Sequence, residues 1–279
     1  MKLIRENMKV REDGKAAELI GYLPDDIFKG EGKGRLRPAV LVIPGGGYAF
    51  VSDREKEPVA LMFAGRGICA FTLDYSVAPD AVFPQSLCEA LLALAFIREH
   101  AEEYGIDPAN IAICGFSAGG HLAASTACFW NHPIVREAVG DRTKNCRPDK
   151  VMLGYPVITS GPKAHEGSFE NLLGSRCQDP AVRELVSLEK QVTEDFPPVL
   201  IWHTFEDATV PVENSLLFAQ ALTEHKVPVE LHIFPHGSHG LSLGNYLVYP
   251  DWKYEDVHES AKWFEHAVDF AFAGSVYSR

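Results

Sequence analysis

This sequence predicts an α/β fold, a mostly parallel sheet of about eight strands with helices on both faces, on the strength of three observations. Short apolar runs without polar alternation, such as AVLVI (39–43) and NIAIC (110–114), fit strands buried on both sides. These runs alternate along the chain with stretches of helical period. The residues richest in chemistry fall just after the runs, where an open parallel sheet binds its ligands.

Taken in order, residues 16–23 (AAELIGYL) read as an early strand, followed by a Gly/Lys turn at 29–34. Residues 38–43 form a strand that runs into Pro44-Gly45-Gly46-Gly47-Tyr48. A helix is predicted over 55–65 and a strand over 67–74. Residues 85–104 read as one long amphipathic helix with Leu87, Leu91, Leu94 and Ile97 on a single face. Then come a strand (110–114), a helix (118–130) and three further strands (150–155, 198–203 and 228–234). A helix at 213–225 separates the last two strands, and a closing helix is expected at 255–272. Two stretches, 131–149 and 159–197, are too long for plain connections. They are predicted to sit near the mouth of a site, the second as a small lid. The domain reading is a single unit over 1–279 with these two as insertions, since a length of 279 residues suits one large domain.

A formal charge of −12 argues against nucleic acid or an anionic membrane as partner. No run of about 20 apolar residues predicts a membrane span, and the first residues lack the apolar core of a secretory signal. The six cysteines include no C-x-x-C pair and are expected to be reduced thiols. The location expected from this is cytoplasmic. A homo-oligomer is left open.

The chemistry centres on Gly115-Phe116-Ser117-Ala118-Gly119, between a strand and a helix. This is G-x-S-x-G in the strand–turn–helix setting that holds a serine hydroxyl above a sheet, with glycine needed where side chains would collide. A serine hydroxyl requires a base. His239 follows a late strand in a glycine-rich loop, and His236 is its rival. The base requires a carboxylate to orient it. Asp207 follows the strand at 198–203, and Glu206 beside it competes on chemistry alone. An oxyanion formed at the serine needs preorganised donors. The amides of Gly46, Gly47 and Ala118 are the candidates. Asp74 precedes the serine, out of order for a triad, and is expected to be structural, for example by bonding the glycine loop. His121 rides on the serine's own helix and is expected to pack inside the fold. Among the aromatics, Tyr48 and Tyr155 follow strands and are the candidates for lining a substrate pocket, ahead of Trp130 and Trp252. No cofactor or metal is expected. The glycine triplet is not G-x-G-x-x-G, there is no P-loop, and His232, His236 and His239 lack a zinc-ligand pattern.

Six blocks together carry a family resemblance: PGGGY (44–48), DYSVAP (74–79), GFSAGGHLA (115–123), GYPVI (154–158), EDATVPVENS (206–215) and HIFPHGSHGL (232–241). The chain resembles the small bacterial esterases of the α/β-hydrolase superfamily. It is most similar to the acetyl-xylan esterase and feruloyl-esterase-like group, relatives of the hormone-sensitive-lipase class. The resemblance implies Ser117 as nucleophile, Asp207 as acid, His239 rather than His236 as base, and Gly46, Gly47 and Ala118 as oxyanion donors. It implies a small ester as substrate, an acetylated sugar or short xylo-oligosaccharide. Pro44 departs from the family pattern, which often has a loop-supporting histidine there. An arylformamidase, a serine peptidase, or a silent binding module on the same fold are the alternatives.

Overall fold

The computed structural model describes residues 1–10, 15–26 and 34–273. Eight strands form one sheet: β1 (Lys2–Met8), β2 (Ala17–Leu23), β3 (Arg37–Ile43), β4 (Cys69–Asp74), β5 (Ile106–Phe116), β6 (Lys150–Gly154), β7 (Val199–Thr204) and β8 (Val229–Phe234). The helices are α1 (Glu57–Gly65), α2 (Gln85–Glu99), α3 (Ala101–Tyr104), α4 (Ala118–Phe129), α5 (Arg136–Val139), α6 (Glu166–Leu173), α7 (Pro180–Leu185), α8 (Glu213–Glu224) and α9 (Trp263–Phe272).

The strand order is β1-β2-β4-β3-β5-β6-β7-β8. β2 pairs antiparallel with β1 and β4, and every pairing from β4 through β8 is parallel. From β3 the chain steps to one side through α1 into β4. It then crosses back through α2 into β5, on the other side of β3. The strand order therefore reverses at β3/β5, and a crevice opens there at the carboxyl ends of the strands. The Gly45–Gly47 loop and Ser117 leave these two strands.

The apolar strands bury side chains on both faces. One face carries a core with Leu41, Leu91, Leu94, Leu122 and Phe218. The other packs Val40, Val42, Phe63, Trp202 and Trp263 under α1 and α9.

Four expectations change. β1 was not read as a strand because it is exposed along most of its length and shows no apolar pattern. The helix predicted over 85–104 breaks at His100, and α3 ends at Gly105 in the left-handed region. Its first half is not amphipathic either. Residues 86–95 are buried all round, because the 131–149 connection covers the face turned away from the sheet. Arg98 donates to the Asn145 and Arg147 carbonyls and to Asp149, and the Asp149 amide bonds the Ile111 carbonyl. Asp149 precedes β6 and Arg98 ends α2, so this connection lies at the amino ends of the strands. The placement of 131–149 near the site is therefore corrected: it is a cover for α2. The closing helix is shorter than 255–272. It starts at Trp263, after a tight turn over Glu259–Lys262 capped by the His258 side chain. The Gly/Lys turn falls mostly outside the described residues.

All six cysteines are free thiols. Among the described residues, no helix is long and apolar enough to cross a membrane.

Candidate active site

Ser117 stands between β5 and α4 with φ 54° and ψ −123°, a strained conformation for a residue with a side chain. The strain is imposed by packing. A Cβ on Gly115 would lie 2.2 Å from the Gly119 carbonyl oxygen. A Cβ on Gly119 would lie 2.2 Å from the Pro44 oxygen and 2.3 Å from that of Ile43. Glycine at both positions lets α4 start directly against β3 and holds the hydroxyl over the crevice. Ala118 begins α4, so its amide is one of those a helix N-terminus leaves open.

His239 reaches this serine from the loop after β8. Its Nε2 is 2.8 Å from Ser117 Oγ, and its Nδ1 is 2.6 Å from Asp207 Oδ2. The Asp207 carboxylate is buried, and its Oδ1 accepts the Thr209 and Val210 amides at 2.9 Å. Burial alone would raise this carboxyl. The hydrogen bonds from His203 and His239 outweigh it and hold the group well below the usual carboxylate range. An imidazole with Nδ1–H fixed on a charged carboxylate presents Nε2 as an acceptor to the hydroxyl.

The rivals considered in the sequence pair with each other instead. His236 Nδ1 lies 3.1 Å from Glu206 Oε1 at the exposed rim. His232 turns the other way, toward Glu230 and His266 on the sheet edge. The three late histidines thus serve three separate places.

The Gly46 and Gly47 amides have no partner among the described residues, and both residues line a cavity of about 570 Å³ with Ser117 and His239. Position 46 needs glycine twice over: its φ is 125°, and a Cβ there would meet the Phe50 carbonyl oxygen at 2.1 Å. Two contacts steady the loop. Asn171 of α6 donates to the Gly47 carbonyl at 2.9 Å, and the Gly45 amide donates to Glu55 Oε2 at 2.8 Å.

Glu55 is one of two buried residues here that the sequence does not single out. It is 4% exposed, yet it sits in the charged run Asp53-Arg54-Glu55-Lys56-Glu57, which reads as a solvated surface. The loop-bonding role expected of Asp74 belongs to Glu55. Asp74 instead pairs with Lys56 at 3.0 Å. His203 also went unnoticed, as the end of an apolar strand. It is fully buried, with Nε2 3.3 Å from Asp207 Oδ2 and Nδ1 2.8 Å from Ser215 Oγ.

Tyr48 and Tyr155 do not line the cavity, which corrects the expectation of substrate contact. Tyr48 is buried and its hydroxyl bonds His121 Nδ1 at 2.8 Å. His121 Nε2 in turn bonds the Val186 carbonyl, so this histidine joins α4 to the 159–197 segment inside the fold. Tyr155 donates to Glu55 Oε1 at 2.6 Å and accepts the Ser242 amide at 2.9 Å. Its ring packs edge-on against His239 at 4.9 Å. These rings support the loops and the imidazole from behind.

Of the two insertions, the second reaches the site. His165, Gly167 and Asn171, at the start of α6 and within it, form one wall of the cavity. The pattern of the BD-FAE family matches residues 26–222, most of the sheet and the serine turn. The chain belongs to the BD-FAE family. Its relatives include a protein named endo-1,4-beta-xylanase B from Butyrivibrio fibrisolvens, 41% identical over 84% of this chain and 36% of that protein. An acetylxylan esterase from Xylanibacter ruminicola is 28% identical over 90% of this chain and 48% of its own length. The chain thus spans less than half the length of these two relatives. Among solved structures, an acetyl ester-xyloside bifunctional hydrolase from Caldicellulosiruptor lactoaceticus superposes with a TM-score of 0.76 at 37% identity, covering 94% of this chain and 96% of that one. The α/β-hydrolase fold of BD-FAE members is therefore shared nearly end to end with a protein of similar size.

Proposed function

We propose that this chain is a serine carboxylic-ester hydrolase that removes acetyl groups from acetylated sugars or short xylo-oligosaccharides through an acyl-enzyme. The observation that carries the reading is the hydrogen-bonded line from Ser117 Oγ through His239 to Asp207, at 2.8 and 2.6 Å. It lies beside glycine amides that have no partner among the described residues, in an open cavity.

In the first half of the cycle Ser117 attacks the ester carbonyl while His239 Nε2 takes the hydroxyl proton. Asp207 keeps the imidazole in the required tautomer and stabilises its charged form. The carbonyl oxygen, now negative, rests on the Gly46, Gly47 and Ala118 amides. His239 then passes the proton to the leaving alcohol oxygen. Water repeats the sequence on the acetyl-serine, releasing acetate and restoring the enzyme. Arg54, His165, Asn171 and Thr209 supply polar groups for a sugar alcohol, beside an apolar wall of Ala49, Phe50 and Val51. The relatives named as a xylanase, an acetylxylan esterase and an acetyl ester-xyloside hydrolase support the same class.

The test is an acyl-length series of p-nitrophenyl esters, followed by acetylated xylo-oligosaccharides. Acetate is expected to be the best acyl group, and rates that grow beyond butyrate contradict the acetyl reading. Ser117→Ala is expected to keep the fold and lower kcat by about 10⁶. Near-normal cleavage by that variant removes Ser117 from the mechanism.

A further inference from the structure

The wall built by α6 brings a third histidine, after His239 and His203, close to the reacting serine. His165 precedes α6 and lines the same cavity as Ser117 and His239. Its Nδ1 lies 2.8 Å from Ser168 Oγ. Ser168 is fully buried, and no other side-chain hydrogen bond to its hydroxyl is found among the described residues. A buried hydroxyl proton without an acceptor is costly, whereas a spare lone pair costs little. Ser168 therefore donates to Nδ1, and the ring proton of neutral His165 resides on Nε2. Burial is the main influence that keeps this imidazole neutral, and the neighbouring His239 adds to it. The Asp207 charge works in the opposite direction, and burial outweighs it. His165 and the Ser117–His239 pair thus face one cavity. The His165 Nε2–H is a donor with no protein partner among the described residues.

We infer that His165 is a specificity-determining residue whose Nε2–H binds a hydroxyl oxygen of the substrate's alcohol part, the hydroxyl neighbouring the acylated one on a sugar ring. This rests on the ester-hydrolase reading above and deepens it: the site selects esters of polyhydroxylated alcohols over simple aryl esters. The donor is held in place by a buried serine, and α6 itself is fastened to the oxyanion loop through Asn171. A hydroxyl bound at His165 therefore sets the ester carbonyl in register with Gly46 and Gly47.

The experiment compares kcat/KM for a monoacetylated methyl xyloside and for p-nitrophenyl acetate in wild type, His165→Leu and His165→Gln. Cleavage of either ester by wild type is the check on the underlying reading. A wild type inert to both refutes that reading, whatever the variants do. Given an active wild type, the sugar-to-aryl ratio is expected to fall about tenfold in His165→Leu, the worth of one well-placed hydrogen bond. His165→Gln, whose amide can accept from Ser168 and donate outward, is expected to recover most of that ratio. A deoxy xyloside lacking the neighbouring hydroxyl is expected to lose the same factor in wild type and nothing further in His165→Leu, as coupling between the two groups requires. A ratio that stays constant in His165→Leu, whether both rates fall or neither does, overturns the inference. So does a deoxy substrate that loses independently of residue 165.

Discussion

Removing the Glu55 carboxylate is expected to damage both the stability and the turnover of this protein. Glu55 accepts the Gly45 amide at 2.8 Å and the Tyr155 hydroxyl at 2.6 Å in a site almost closed to water. Glu55→Ala leaves both donors buried and unpartnered, each at about 1–3 kcal/mol, for a total of about 4 kcal/mol. Glu55→Gln can still accept from Gly45 but turns its NH₂ toward Tyr155. The tyrosine proton is then left without an acceptor, at about 2 kcal/mol. Gly45 adjoins Gly46, so release of its amide shifts the donors meant for the oxyanion. Loss of one such donor lowers kcat by roughly 10²–10³. The interaction belongs to the transition state, so KM should change little. Urea unfolding followed by tryptophan fluorescence gives the first quantity, and p-nitrophenyl acetate kinetics give the second. A Glu55→Ala protein within about 0.5 kcal/mol of wild type, a change too small for a group with two buried partners, refutes the reasoning. So does a kcat within twofold of wild type.

Asp207→Asn is expected to lower kcat by about 10⁴, because an amide facing Nδ1 favours the wrong imidazole tautomer. Steady-state kinetics with circular dichroism as a fold control check this. Gly119→Ala is expected to yield little folded protein, since its Cβ meets the Pro44 and Ile43 carbonyls at 2.2–2.3 Å, and soluble expression with thermal melting reads the outcome. Burial pushes His121 down from 6.5 to about 4, only partly opposed by the Val186 carbonyl. The unfolded chain therefore takes up a proton at this site below about pH 6.5, where the native chain does not. Stability from this group is intact above that pH and falls by on the order of 3 kcal/mol on the way to pH 4. Asp207, with a depressed native value, contributes stability that is lost only at still lower pH, below its ordinary 3.8. Urea unfolding from pH 7.5 to 4 in wild type and His121→Gln is expected to show a shallower slope in the variant.

The parts of this protein visible in the sequence are those whose physics is local. β3, β5 and β7 are apolar because both of their faces are covered, and the glycines around Ser117 are needed because carbonyls lie where a Cβ would stand. What stayed hidden depends on partners far away in the chain. β1 has little apolar surface to reveal because most of it faces water. α2 reads as amphipathic until the cover supplied by 131–149 is known. Glu55 looks like one charge among five, and its role exists only because β6 delivers Tyr155 from 100 positions away. Tyr48 and Tyr155 were placed correctly after strands but assigned to the wrong side of the site, since position after a strand does not say which way a ring turns.

The sheet order also explains why His239 arrives on such a long loop. Ser117 leaves β5 while His239 follows β8, three strands away, so roughly 14 Å separates the two strand ends. No imidazole spans that distance from its own strand. The chain must double back over β7 and β6 before any helix can form, and it does so from Pro235 to His258 without regular structure. Gly237 and Gly240 supply the turns, with φ of 123° and 80°. Asp207 leaves β7, beneath the returning loop, which is why the carboxylate stands behind the imidazole. The far end of the reach is pinned into the core. The Ser242 hydroxyl donates to the Arg54 carbonyl, its amide donates to Tyr155, and its own carbonyl accepts from buried Trp263 at 2.8 Å. The same tyrosine holds Glu55, and Glu55 holds Gly45. One buried network therefore sets the height of the His239 imidazole and the position of the Gly46 and Gly47 amides together. Displacement at either end is transmitted through Tyr155 to the other, so the geometry between His239 and the glycine amides is fixed by the core beneath the crevice more than by the wall above it.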